Sequence, residues 1–262
     1  MGKIIAIASP KGKVGKSTTA INLSTATALL GKRTLLVDLD PAGDCITGLG
    51  FSKKEASIDM FDKNSTDSSI RSSFLKTKII NLELLRIRRL PYWKDKLGKT
   101  KQDELVLRNV LIPQLAFYDY IFMDCPPQAT GTLNACLIAA NSVLIPVILA
   151  NFSNAVISRM IIRINSVREN YNPDLKILGI LFTIYDSKND TANVIKTQLS
   201  EIYNEYILNI SIPKNPVVRE AFNNKKPLII YEPDNVAAKA YRKLAKELTV
   251  KKISFKIELL NQ

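Results

Sequence analysis

The first thirty residues limit the possible folds more than any other part of the chain. Residues 3–31 read KIIAIASPKGKVGKSTTAINLSTATALLG. Lys3 to Ala8 are a short apolar run rich in β-branched residues and closed by Ser9-Pro10, which is the pattern of a buried strand. Ser17 to Leu30 hold no Gly or Pro and end at Gly31, so they are predicted to form a largely buried helix. A glycine-containing loop between a strand and a helix turns backbone N–H groups toward the helix N-terminus and cradles phosphate there. The ordinary loop of this kind reads G-x-x-x-x-G-K-[ST]. Gly15, Lys16 and Ser17 supply its second half, but Pro10 stands where the first glycine belongs, and Lys11 and Lys13 add two cations.

Apolar strand candidates recur along the chain at 34–40, 118–127, 142–148, 176–186 and 207–213. Helical stretches lie at about 131–140, 154–170, 190–205 and 235–248. Strands alternating with helices predict a doubly wound, mostly parallel α/β sheet with helices on both faces. The segment 52–108 reads as polar and irregular, with helical patterning only around 68–76 and 103–116. No repeat, low-complexity tract or linker interrupts the pattern, so residues 1–262 are expected to form one domain. Two of the strands end in acids, Asp38/Asp40 and Asp124. In a doubly wound sheet the C-terminal strand ends line the ligand crevice, where carboxylates hold Mg²⁺ through its water shell. Lys16 is placed to hold the β and γ phosphates, with the Ser17 hydroxyl on the metal.

These residues resemble the ParA/MinD group of deviant P-loop ATPases, on its ParA side. KGKVGKSTTAINL is similar to the loop K-G-G-x-x-K-[ST], LLVDLDPAGDCITGLG to the V-D-x-D-P-Q-G segment, YDYIFMDCPP to the D-x-P-P strand, and IPKNPVVREAFNNKKPLIIYEP to a late I-P-[RK]-N stretch. The resemblance spans nearly the whole chain and is weakest at 52–105. It implies slow, partner-stimulated hydrolysis of ATP with Mg²⁺. It makes Lys11 the signature lysine that reaches the phosphates of a second subunit. The cradle then comprises Lys11, Gly12, Lys13, Val14, Gly15, Lys16, Ser17 and Thr18, and Lys11, Lys16 and Asp40 form the catalytic set. Asp40 orients the attacking water, and Ser17 binds Mg²⁺ directly. Asp38, Asp40 and Asp124 surround the ion through water, Pro213 and Asn215 lie near adenine, and Thr183 lines the same pocket. Three positions depart from the pattern: Lys13 replaces a glycine, Ala42 the usual Gln, and Asp44 a frequent Asn. The lysine at 13 strains or widens the loop and is expected to slow turnover.

The net charge is +13, and the excess lies in two blocks. Residues 71–108 carry 11 basic against 4 acidic residues, and residues 211–262 carry 11 against 5. Such blocks suit a polyanion. Under the resemblance the partners are a second copy in the ATP state, non-specific double-stranded DNA, and a ParB-like or other adaptor that stimulates hydrolysis. The cargo is a plasmid, a chromosome origin or another body. The candidate DNA contacts are Lys214, Arg219, Lys225, Lys226, Arg242, Lys243 and Lys246. With the loop beginning at residue 10, no preceding helix-turn-helix and no operator reading are expected. The alternatives are a nucleotide-binding protein whose turnover Lys13 impairs, or a MinD-like membrane-positioning ATPase ending in an amphipathic helix. In TVKKISFKIELLNQ, however, Ile253, Phe255, Ile257 and Leu259 fall on every second position, which predicts an added strand and no stable membrane insertion. No signal peptide is recognised, so a cytoplasmic, nucleoid-associated protein is expected. The three cysteines show no zinc spacing and read as buried thiols. Histidine is absent, which removes imidazole chemistry.

Overall fold

Alternation along the first strand decides the layering. In β1 (Lys3–Ile7) and the residue after it, Ile4, Ala6 and Ala8 enter one buried cluster while Ile5 and Ile7 enter another. Successive strand side chains point to opposite faces, so the two clusters lie on the two sides of one sheet. The same split recurs in β2 (Thr34–Asp38), where Leu35 and Val37 face one way and Leu36 the other. The computed structural model describes residues 2–53, 67–87, 101–127 and 131–250.

The sheet has eight strands in the order β3-β4-β2-β5-β1-β6-β7-β8. The remaining strands are β3 (Leu75–Lys76), β4 (Leu82–Arg86), β5 (Tyr120–Asp124), β6 (Ser142–Val147), β7 (Lys176–Tyr185) and β8 (Ile207–Pro213). The β3–β4 pair is antiparallel and the other pairs are parallel, as the alternation predicts. Helix α1 (Lys16–Leu29) packs its Ala20, Leu23 and Ala28 into the second cluster. A buried hydroxyl pair, Thr19 Oγ1 to Tyr241 Oη at 3.1 Å, joins α1 to the C-terminal helix Val236–Val250. Helices Gly131–Ala139 and Ser153–Asn170 cover the first cluster.

The middle of the chain corrects the expectation of an irregular segment. β4 pairs with β2 over five positions, from Thr34↔Leu82 to Asp38↔Arg86, and buries Leu82, Leu84 and Leu85. Its sequence LELLR has two charges in five residues and no β-branched residue, so only pairing and burial reveal it. The short helices Asp44–Gly48, Val217–Asn223 and Leu228–Tyr231 also go beyond the sequence reading. The added strand at 253–259 and residues 88–100 of the basic block 71–108 lie outside the described residues.

Candidate functional site

The phosphate loop sits where β1 gives way to α1. Gly15 precedes the helix with φ +80 and offers no side-chain cap, so the first-turn N–H groups are left for a ligand. No acid stands in that turn to repel an anion. Lys16 is buried, and its Nζ donates to its own loop at the Lys11 carbonyl, 3.3 Å away. The Thr183 hydroxyl donates to the Val14 carbonyl at 2.8 Å and ties the loop to β7. Lys13 takes φ +61, a left-handed conformation that a side chain adopts at a cost of about 1–3 kcal/mol. The Lys13 side chain is exposed, as is that of Lys11, whose Nζ rests 5.0 Å from the centre of the Phe152 ring.

The acids converge beside the loop. Asp38 on β2 and Asp124 on β5 are register partners, and both are buried. Asp38 accepts from the backbone N–H of Asp40 at 3.2 Å and of Ile46 at 3.1 Å. Asp124 hydrogen-bonds the Ser17 hydroxyl, and its Oδ2 accepts from Cys45 Sγ at 3.3 Å. Its Oδ1 has no hydrogen-bond partner among the described residues. Burial, then the charge of Asp38, pushes the Asp124 carboxyl up to about 8. Burial lifts Asp38 to about 6, although the Ile46 N–H and Arg86 work against it. A buried acid with an empty oxygen, next to a second acid and a serine hydroxyl, fits a hydrated divalent cation. Asp40 stands half-buried at the rim, with Oδ1 accepting from the Ala42 N–H at 2.9 Å.

The loop also borders a cavity of about 370 Å³, lined among others by Thr18, Thr183, Pro213, Asn215, Phe222 and Tyr241. The predicted loop, the acids and the residues expected near the base therefore meet at one end of the sheet. Lys214 and Arg219, read from the sequence as DNA contacts, line this cavity as well. Lys225, Lys226, Lys243 and Lys246 are exposed elsewhere, and the Arg242 guanidinium donates to the Pro233 carbonyl. Sequence reasoning missed Phe222, Tyr241, Phe152 and Cys45, because no motif marks them. It also missed Ile184, a β-branched residue held at φ +52 on the cavity wall.

A family model described as an AAA domain matches residues 2–177. The chain is 34% identical over 250 residues to the sporulation initiation inhibitor protein Soj of Bacillus subtilis (strain 168), covering 95% of this chain and 98% of that protein. It is 35% identical over 255 residues to the chromosome partitioning protein ParA of Myxococcus xanthus (strain DK1622), covering 95% of this chain and 88% of that one. Among solved structures, cobyrinic acid a,c-diamide synthase from Mycobacterium smegmatis with bound ATP analog and magnesium superposes with a TM-score of 0.78 at 26% identity, over 95% and 94% of the two chains. The septum site-determining protein MinD of Pyrococcus horikoshii, complexed with Mg-ADP, gives 0.76 at 21% identity over 98% and 100%, a likeness of fold alone.

Proposed function

The chain belongs to the Soj/ParA family of partition ATPases, and we propose that its own residues perform that work as follows. It is an ATPase that uses ATP and Mg²⁺. Lys16 and the N–H groups of Gly12 to Thr18 hold the phosphates, and the Ser17 hydroxyl binds the ion directly. Asp38, Asp40 and Asp124 orient the ion's water shell. Asp40 also aligns the attacking water. Held by these residues, Mg²⁺ would supply positive charge against that developing on the transferring phosphoryl group. Lys11 serves the site of a second copy in an ATP-bound homodimer. Pro213 and Asn215 border the base, with Thr183 behind it. The observation that carries this assignment is a loop whose buried Lys16 is followed by Ser17, hydrogen-bonded to the buried Asp124, which keeps one unsatisfied oxygen.

In the same proposal the whole chain works as one domain. The ATP-bound dimer holds double-stranded DNA by phosphate contacts without sequence preference, through Lys225, Lys226, Lys243, Lys246 and Arg242, with Lys214 and Arg219 at the edge of the cavity. A ParB-like or other adaptor stimulates hydrolysis, releases the dimer from the nucleoid and so moves a plasmid or chromosome origin. A MinD-like membrane role fits less well, because the partition relatives are 34–35% identical and the MinD neighbour 21%. Binding to a random-sequence duplex with ATP, with ADP and without nucleotide, across a salt series, tests the proposal. Tight, salt-sensitive binding with ATP alone is expected. Equal binding in all three states overturns the switch, and no binding in any overturns the DNA role.

A further inference from the structure

Cys45 stands beside the Mg²⁺-shell acids, yet a thiol is a poor ligand for a hard ion such as Mg²⁺. Its Sγ, one oxygen of Asp38 and one of Asp124 all lie within 4.8 Å of one another, and all three residues are buried. The Sγ to Oδ2 spacing of 3.3 Å is close to the ligand-to-ligand edge, roughly 3.5 Å, of a tetrahedral zinc with one sulfur and one oxygen ligand. Asp124 has no exposure, and its Oδ1 has no partner among the described residues. A buried carboxylate oxygen left without a donor is available to a metal ion. Ser17, which hydrogen-bonds Asp124, and Asp44, the neighbour of Cys45, both line the adjoining cavity.

We propose that Cys45, Asp38 and Asp124 form a second metal site that takes a thiophilic divalent cation of the zinc class directly, with water in the fourth position. On binding, the Cys45 thiol and whichever of the two carboxyls is protonated release their protons to solvent, and the Sγ–metal and carboxylate–metal bonds form. The two carboxylates replace metal-bound waters, and no electron is transferred. Occupancy ties up both acids that the proposed function assigns to the Mg²⁺ shell. The two metal states are therefore exclusive, and the thiophilic ion inhibits the ATPase. Cysteine spacing could not show this site, because the two acids come from different strands.

The probe is Cd²⁺, titrated into the reduced full-length protein while the sulfur-to-cadmium charge-transfer absorption is recorded, with zinc inhibition of the ATPase measured in parallel. About one equivalent should saturate the band. The band should be absent from Cys45→Ala and from Cys45→Ser, each checked for folding by circular dichroism, and Mg²⁺·ATP should bleach it in the unaltered chain. Relative to each protein's own uninhibited rate, zinc inhibition should weaken at least about 10-fold in both variants. No band, or a band that survives in both variants because Cys125 or Cys136 carries it, overturns the site. A Cys45 band that Mg²⁺·ATP leaves untouched overturns exclusivity. The inhibition arm rests on the nucleotide reading, so binding of a fluorescent ATP analogue is measured on the same metal-free sample. Failure there sinks that reading, and the cadmium band still decides the site.

Discussion

The two ends of the nucleotide crevice are built in different ways. The phosphate end is almost one sentence of sequence: residues 10–18 supply the loop, and two strand ends deliver Asp38 and Asp124 as register partners. The proposed base end is assembled from Thr18 on α1, Thr183 and Ile184 on β7, Pro213 on β8, and Phe222 and Tyr241 on two helices late in the chain. Charge and backbone N–H groups act at the first end, and apolar shape at the second. Turnover should therefore be controlled at the phosphate end, while the base end sets affinity and stability.

The largest effect should come from Lys16→Ala, which removes the buried cation. Steady-state ATPase should fall by at least about 100-fold, and a residual rate within a few-fold of the unaltered chain would erase the contrast between the two ends. Lys11→Ala should lower turnover by a similar order, yet leave nucleotide binding to a single chain intact. Equilibrium dialysis and sedimentation would separate the two, and a variant that still dimerises with ATP contradicts the reach of Lys11 across the interface. The acids supply a pH test. The folded chain keeps protons on Asp38 and Asp124, pushed up to about 6 and about 8, whereas unfolded carboxyls release theirs near 4. The native state thus binds more protons, and without divalent ion its stability should fall as pH rises from 4 toward 8. Urea midpoints at pH 5 and pH 8 would show the slope, saturating Mg²⁺·ATP should flatten it, and a midpoint that rises with pH refutes the buried-acid account.

Two smaller effects refine the comparison. Lys13→Gly should relieve the left-handed strain, stabilising the chain by about 1 kcal/mol and raising turnover several-fold. Denaturation and a rate assay together check it, and unchanged turnover means that Lys13 does not slow the enzyme. At the base end, Tyr241→Phe removes the hydroxyl that meets Thr19. It should lower stability by about 1 kcal/mol and leave turnover per bound nucleotide unchanged. A larger loss of turnover than of stability would show that the base end also steers chemistry.

Much of this was legible before any coordinates. The apolar run of β1, the glycine-lysine-serine turn and the acid-tipped strands are local patterns, and local patterns survive in a linear reading. β4 was not legible, because LELLR becomes a strand only when β2 pairs with it. Lys214 and Arg219 looked like members of a basic block, but the turn after β8 brings them to the cavity. Cys45 read as a core thiol, and it is buried, yet the fold sets it against an acid that lies 79 residues away.

The sequence alone determined the strand-loop-helix start, the parallel α/β class and the family resemblance, and it singled out Lys16 as the candidate phosphate ligand. Each follows from side-chain periodicity or from a short motif whose chemistry lies within a few residues. The tertiary structure decided which acids meet, which residues line the cavity and which thiol stands beside those acids. Those depend on strand order and register, which bring together groups from β2, β5, β7 and β8 that no spacing along the chain records.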